Sequence, residues 1–216
     1  MMTTMFGSVD DIDLYVECLK ECNIPFKIHV DGAYGGFYFP FANEKNNLNF
    51  TNEYITSVTL DAHKMAQAPY GTGIFIIKKG FMKYVKTSEA SYVKGQDSTL
   101  IGSRSGASAI AVWMILMKHG PFEWFERIYI LQKRATWFCE QLQKLSIVFY
   151  RSENSNIITI KSAFINKSLA EKYGLVPDNH IKPKWYKIVI MKHVSIEKLT
   201  LLINDLKKES IKQFAN

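Results

Sequence analysis

The sequence of 216 residues has few cysteines, no long apolar run and no stretch with the pattern of a secretory leader. Cys18, Cys22 and Cys139 lack the spacing of a metal site or of a disulfide framework, which favours a reducing compartment. No run of about 18 apolar residues is present, so we expect no membrane span. The opening stretch MMTTMFGSVDD lacks the basic and apolar regions of a signal peptide. These absences predict a cytoplasmic protein.

Clustered positive charge is also missing, although the net charge is +7. The lysines are scattered, and many fall on the polar faces of predicted helices. Because no basic run alternates with aromatic residues, nucleic acid is not an expected partner. The basic balance instead suits a small anionic ligand, such as a phosphate or an amino-acid carboxylate. Hydrophobic residues make up 47% of the chain, which is enough for a sizeable core.

The first part of the chain alternates predicted strands and helices. A helix is expected from a Ser8 cap to about Cys22, and SGASAIAVWMILMK, residues 105–118, predicts a buried helix. Short apolar segments predict strands at 26–31, 57–61 and 71–79, the last of them internal because it is almost continuously apolar. This alternation is typical of an α/β fold.

A long amphipathic helix is predicted next, from Pro121 to about Leu145. Its expected core face consists of Phe122, Phe125, Ile128, Tyr129, Ala135, Phe138 and Leu142. Short strands at 147–150, 157–161 and 185–191 follow, and a final helix covers about 195–213. We therefore expect an α/β large domain within residues 1–145 and a small α+β domain within residues 146–216.

Reactive side chains follow two of the predicted strands. The first strand ends at Asp31, and the second delivers Asp61, His63 and Lys64. Ligands of open α/β sheets bind beyond the carboxyl ends of the strands. If the two strands are neighbours, Asp31 and Lys64 face one crevice.

This pair suits pyridoxal phosphate, which needs a lysine for its Schiff base and a carboxylate beside its pyridine nitrogen. Gly32 and Ala33, which follow the aspartate, would let a flat ring lie close. A metal site is the competing interpretation, with His29, Asp31, Asp61 and His63 as the candidate ligands. His29 lies within a strand, where a hydrogen-bonded core histidine is more common than a ligand, so no metal is expected.

The same residues carry a family resemblance. HVDGAYGGFYFPF, then SVTLDAHKMAQAPYGTGIFIIKKGFMKYV, resembles the group II pyridoxal-phosphate-dependent decarboxylases, and STLIGSRSGASA follows in the same order. Tyrosine and aspartate decarboxylases are similar, and so are sphingosine-phosphate lyases at these motifs. The resemblance implies part of a fold type I large domain with a mostly parallel sheet, a small α+β domain and pyridoxal 5'-phosphate as cofactor.

The resemblance also implies roles for individual residues. Lys64 matches the Schiff-base lysine, and Asp31 matches the carboxylate that pairs with the pyridine nitrogen. Ala33 matches the small residue against one ring face, while His63 matches the histidine that touches phosphate and substrate. Thr4 matches a threonine near the ring hydroxyl, and Asp61 matches a polar residue near the phosphate. Ser103 matches a serine that reaches the neighbouring subunit's phosphate.

Two features depart from the family pattern. The chain starts at the threonine motif, so the resemblance implies a missing N-terminal half that carries the phosphate-binding residues. No arginine follows Arg151, so the family's substrate-carboxylate arginine has no match. We expect an amino-acid decarboxylase in truncated or split form, acting as a homodimer or with a complementary N-terminal half. The alternatives are a non-catalytic binding or scaffold module, and a carbon–carbon lyase of the sphingosine-phosphate lyase type.

Overall fold

The computed structural model describes residues 1–84 and 103–214, which fall into two compact units. The first unit takes in Met1, Asp10–Pro40 and Glu44–Gly120. The second takes in Met2–Val9, Phe41–Asn43 and Pro121–Asn216. The units thus divide the chain before Pro121, and the domain boundary at residue 145 stays a prediction.

The first unit is built on a three-stranded sheet with the order β1-β2-β3. Its strands are β1 (Ile28–Asp31), β2 (Ile55–Asp61) and β3 (Gly73–Ile77). β1 and β2 run parallel, as the sequence predicts for the large domain, whereas β3 pairs antiparallel with β2. The carboxyl ends of β1 and β2 therefore lie at one edge of the sheet.

Helix α1 (Ile12–Glu21) begins three residues later than its predicted cap implies. Asp11, not Ser8, is the cap, because its carboxylate accepts a hydrogen bond from the backbone N–H of Asp13 at 3.1 Å. The Ser8 hydroxyl instead bonds the Thr3 hydroxyl at 2.6 Å. Both side chains are good helix caps, so composition alone did not separate them.

Two elements of the first unit that were predicted to be internal are exposed. Helix α3 (Gly106–Lys118) contains no buried residue along its described length, although its sequence is apolar. Strand β3 lies at the edge of the described sheet, and Phe75 and Ile76 are 52% and 42% exposed. Both predictions were wrong because they assumed that other helices or strands would pack on these apolar surfaces. No described part of the first unit covers them.

The second unit has an antiparallel four-stranded sheet with the order β4-β5-β7-β6. Its strands are β4 (Phe149–Tyr150), β5 (Ile157–Lys161), β6 (Val176–Pro177) and β7 (Trp185–Val189). Its helices are α4 (Pro121–Lys144), α5 (Lys167–Tyr173) and α6 (Ile196–Phe214), whereas the short α2 (Phe39–Ala42) ends in this unit. Helix α5 and strand β6 were not predicted, because both are short.

Helix α4 confirms the predicted length but not the whole of the predicted core face. Ile128, Ala135, Phe138 and Leu142 are buried as expected. Phe122, Phe125 and Tyr129 are instead 75%, 41% and 49% exposed. The buried stripe begins at Trp124 and continues through Leu131, one position away from the predicted one in the first turns. The first turns of α4 carry apolar residues on two faces, and tertiary packing determines which face is buried.

The core of the second unit joins α4 and α6 to one face of the sheet. Phe138, Leu142, Ile158, Ile160 and Ile190 are fully buried, and α6 adds Leu199, Leu202 and Leu206. Ile158 and Ile160 of β5 face this core, and Ile157 and Thr159, on the other face of the same strand, are also buried. In the ranges described, no helix is both long and apolar enough to cross a membrane.

Candidate active site

The candidate site lies where β1 and β2 end side by side. The parallel register pairs His29 with Ser57 and Asp31 with Thr59. β2 continues to Asp61, and Lys64 follows one turn later. The condition set by the sequence, that the two strands be neighbours, is therefore met. Both sets of reactive residues leave the sheet at its carboxyl edge, where open α/β sheets bind ligands.

A tight turn after β1 holds Asp31 in place. Its carboxylate accepts a hydrogen bond from the backbone N–H of Ala33 at 2.9 Å. The turn is tied to β2, because Gly32 N–H donates to the Thr59 carbonyl at 2.9 Å and Asp61 N–H donates to the Ala33 carbonyl at 3.1 Å. A Cβ atom on Gly32 would lie 3.0 Å from the Thr59 oxygen, so the close approach favours glycine.

The segment after β2 buries its small residues and presents its reactive ones. Ala62, Met65, Ala66 and Ala68 are buried, whereas the Lys64 side chain is 40% exposed. Backbone bonds close the turn, from Lys64 N–H to Asp61 and from Ala68 N–H to Ala62. The packing of the alanines thus fixes the lysine at the mouth of the strand.

Lys64 is paired with a carboxylate of its own turn. Its Nζ lies 2.9 Å from Asp61 Oδ2, and the Asp61 side chain is 22% exposed. Exposed ion pairs contribute little to stability, so this one can rearrange at low cost. The pair places a proton acceptor within hydrogen-bonding distance of the amine, a contact that the sequence analysis did not predict.

His63 is held by the loop that precedes β3. Its Nδ1 lies 3.1 Å from the Thr72 carbonyl oxygen, which can only accept, so Nδ1 is the donor in this contact. The other ring nitrogen, Nε2, lies 3.9 Å from Asp61 Oδ2. The Tyr70 ring packs edge-on against the imidazole with a centroid distance of 5.2 Å.

His29 links the two strands on the face of the sheet that also carries Asp31. Its Nδ1 lies 2.8 Å from the Ser57 hydroxyl, and its Nε2 lies 3.1 Å from the Thr59 hydroxyl. The prediction of a core position was wrong, since the residue is exposed, but both nitrogens have partners. No described group of three or more histidine, cysteine, aspartate or glutamate side chains could hold a metal ion.

Thr4 and Ser103 lie apart from these strands in the sequence, and their roles stay predictions. Thr4 belongs to the second unit, where its carbonyl accepts a hydrogen bond from Lys187 Nζ at 2.8 Å. Ser103 is exposed and comes two residues before Ser105, the N-cap of α3. Residues 98–102 of its motif lie outside the described residues.

Sequence reasoning did not identify the support of the Thr4 segment. Phe6 packs edge-on against Tyr150 and Trp185, with centroid distances of 5.8 Å and 6.1 Å. Lys187, on β7, is the donor to Thr4, and burial lowers the pKa of its amine. The lysine and its acceptor are 183 residues apart, so no local sequence signal could have linked them.

Comparison with known proteins accounts for this arrangement of residues. The sequence profile described as the pyridoxal-dependent decarboxylase conserved domain matches residues 1–151. The chain belongs to this decarboxylase family. It is 49% identical over 209 residues to a tryptophan decarboxylase of Clostridium sporogenes, which covers 96% of this chain and 50% of the relative. An L-aspartate/L-glutamate decarboxylase of Pyrococcus horikoshii is 33% identical, covering 95% of this chain and 55% of the relative.

Solved structures place the chain in the predicted fold. A sphingosine-1-phosphate lyase of Burkholderia pseudomallei superposes with a TM-score of 0.79 at 18% identity, covering 98% of this chain and 50% of the lyase. The glutamate decarboxylase of Lactobacillus brevis gives 0.79 at 20% identity, with 97% and 53% covered. At these identities the likeness establishes the fold. The chain spans about half the length of the curated relatives it matches.

The residues present fit the cofactor that gives the decarboxylase family its name. An accessible amine, Lys64, and an accessible carboxylate, Asp31, leave adjacent strands at one edge of the sheet. Gly32 and Ala33 leave little side-chain bulk beside that carboxylate. A primary amine and a carboxylate are the two groups that pyridoxal phosphate requires of a protein.

Proposed function

We propose that this chain carries the lysine and the ring-binding carboxylate of a pyridoxal-phosphate-dependent amino-acid decarboxylase. The observation that carries the proposal is the parallel pairing of β1 and β2, which delivers Asp31 and the Asp61–Lys64 pair to one edge. Family membership supports the reaction class. Tryptophan is the first substrate to test, because the 49% identical relative is a tryptophan decarboxylase.

When bound, pyridoxal phosphate supplies an aldehyde that condenses with amines and a ring that withdraws electrons from the carbon losing carbon dioxide. Lys64 provides the amine that holds the cofactor. A lysine attacks only when it is unprotonated. Asp61 Oδ2, 2.9 Å from Nζ, accepts a hydrogen bond from the amine and so positions it at the edge of the sheet.

The other residues at this edge orient the cofactor and the substrate. Asp31 would pair with the pyridine nitrogen, and the hydrogen bond from the Ala33 N–H holds its carboxylate in place. Ala33, which the family resemblance assigns to one ring face, would leave room for a flat ring. His63, with Nδ1 occupied by the Thr72 carbonyl, offers Nε2 to the phosphate or the substrate. The family resemblance assigns the remaining roles of the proposed set to Asp61, Thr4 and Ser103.

Homodimerisation and a cytoplasmic location also belong to this proposal. Support for the first comes from the Ser103 motif, which the family resemblance assigns to the neighbouring subunit's phosphate. Support for the second comes from the sparse cysteines, of which Cys18 and Cys22 are exposed and unpaired.

Borohydride reduction in the presence of pyridoxal phosphate tests the central assignment. Peptide mapping should find the pyridoxyl label on Lys64, and Lys64→Ala should abolish both the label and amine production from tryptophan. Lys79→Ala is the matched control. Lys79 also follows a strand, but β3 runs antiparallel, so its carboxyl end lies at the opposite edge. Labelling of another lysine in the wild type, or decarboxylation by Lys64→Ala, would overturn the proposal.

A further inference from the structure

Helix α3 presents an apolar stripe to solvent. Ile110, Trp113, Met114 and Met117 are 60%, 60%, 59% and 68% exposed. Their spacing of three and four residues places them on one face of the helix. We call this face the α3 stripe. The opposite face, which includes Ala111, Val112 and Ile115, is half-buried, so the helix already has an inner side and the stripe is its outer side.

The composition of α3 is that of an enclosed helix. No charged residue occurs between Gly106 and Met117. By contrast α6, which lies on the surface of the second unit, carries glutamate and lysine on its outer side. A helix that is hydrophobic all round is normally buried, and a contiguous exposed apolar surface of this kind marks an interaction site. Trp113 lies near the middle of the stripe, and tryptophan is enriched among residues that dominate binding energy.

The length of the relatives indicates what covers the stripe. The 209 matched residues are 50% of the Clostridium sporogenes relative, which leaves about as many again without a counterpart here. The Burkholderia pseudomallei lyase superposes on 98% of this chain with only 50% of its own residues. The same fold therefore contains a second half that this chain does not match.

We propose that the α3 stripe is the docking surface for that complementary half of the fold. The inference deepens the proposed function, on which it rests, by naming the partner and the surface of the same enzyme. A second copy of this chain fits less well. Phe75 and Ile76 point to opposite faces of β3 and are both exposed, so one helix-to-helix contact would leave them uncovered. A partner of about 200 residues is large enough to cover several such surfaces.

Co-expression with the unmatched half of the Clostridium sporogenes tryptophan decarboxylase tests this inference. With an affinity tag on this chain, the two polypeptides should co-purify in equal amounts. Met114→Asp should weaken the complex at least about tenfold, because a charge would be desolvated in an apolar contact. Leu201→Asp is the matched control, since Leu201 is 59% exposed on α6 of the second unit. This control should bind like the wild type.

A second measurement guards against misfolding of the aspartate variant. Tryptophan emission should shift to shorter wavelength on complex formation, and Trp113→Phe should remove most of the shift while retaining the complex. Absence of a wild-type complex would overturn the inference, as would a complex indifferent to Met114→Asp. So would a homodimer of this chain alone that Met114→Asp dissociates, since a second copy would then occupy the stripe. Lys64→Ala should still dock. A wild-type complex that forms normally but takes no pyridoxyl label on Lys64 would count against the proposed function alone.

Discussion

The two compact units differ in how far each encloses its own apolar residues. The second unit packs α4 and α6 on a four-stranded sheet, and its largest core side chains, such as Phe138 and Leu142, are fully buried. In the first unit, α3 and β3 expose apolar side chains, including Trp113 at 60% and Phe75 at 52%. The same chain thus contains a unit with a closed core and a unit with an open one.

The reactive residues on the strand ends belong to the less enclosed of the two units. Asp31, Asp61 and Lys64 are positioned by backbone bonds of two strands and their turns. Such local bonds fix geometry without requiring that every neighbouring surface be covered. Enclosure of a reacting group strengthens the electrostatic interactions around it, and we proposed above that a complementary half of the fold provides that enclosure. Three predictions would break or sharpen this comparison.

The largest expected effect is in the closed core. Phe138→Ala should lower the free energy of unfolding of the second unit by about 3–5 kcal/mol, because it removes a fully buried ring. Trp113→Ala, an equally drastic truncation on the exposed α3, should change stability by less than about 0.5 kcal/mol. Urea unfolding curves of the two variants, followed by circular dichroism, measure both values. Similar losses for the two variants would mean that α3 is enclosed in the free chain and that the contrast between the units is wrong.

An intermediate effect on stability is expected within the second unit, where its N-terminal segment packs against Ser155 and Ile157. Gly7 has φ of +64°, and a Cβ there would lie 2.5 Å from Ser155 Oγ and 3.2 Å from Ile157 Cβ. Gly7→Ala should therefore cost about 1–3 kcal/mol through strain and displacement of the buried Ser155. Differential scanning calorimetry measures the loss.

Gly174→Ala separates the two causes. Gly174 has nearly the same φ, +61°, but no atom lies within 4 Å of its added Cβ. It should cost about 1 kcal/mol from backbone strain alone. If Gly7→Ala proves no worse than Gly174→Ala, the N-terminal segment is not packed against Ser155 as described.

The smallest effect concerns the charged surface of the second unit. Asp205 is bonded to Lys172 at 2.6 Å and to the Tyr173 hydroxyl at 2.8 Å. The Lys172 bond, followed by the Tyr173 bond, lowers the pKa of Asp205 from 3.8 to about 2. Because the folded pKa is depressed, the carboxylate stabilises the fold above about pH 4, and this contribution is lost as the pH falls towards about 2.

Thermal midpoints of the wild type and Asp205→Asn, recorded from about pH 7 down to about pH 2, test this linkage. The variant should melt slightly below the wild type at neutral pH, and the two midpoints should converge in acid. Glu126→Gln, which alters an exposed carboxylate on α4, is the control and should show no such convergence. A gap for Asp205→Asn that persists in acid would contradict the assigned cause.

Much of the candidate site could be read from the sequence because its determinants are local. Strand-forming segments that end in Asp31 and in Asp61–Lys64 fix both the edge of the sheet and the residue types found there. What could not be read was the partner of each side chain. The Asp61–Lys64 ion pair, the His29 bridge to Ser57 and Thr59, and the Lys187 bond to Thr4 depend on register and on distant segments.

The sequence by itself determined the family, the strand ends that carry the reactive residues and the extent of the long helix α4. These follow from residue order and periodicity, which act over a few turns or strands. Tertiary structure alone decided which apolar faces are buried, since α3 is exposed and α4 buries Trp124 in place of Phe122 and Phe125. The physical reason is that burial depends on a surface being present to cover each face, and periodicity shows only that a face is apolar.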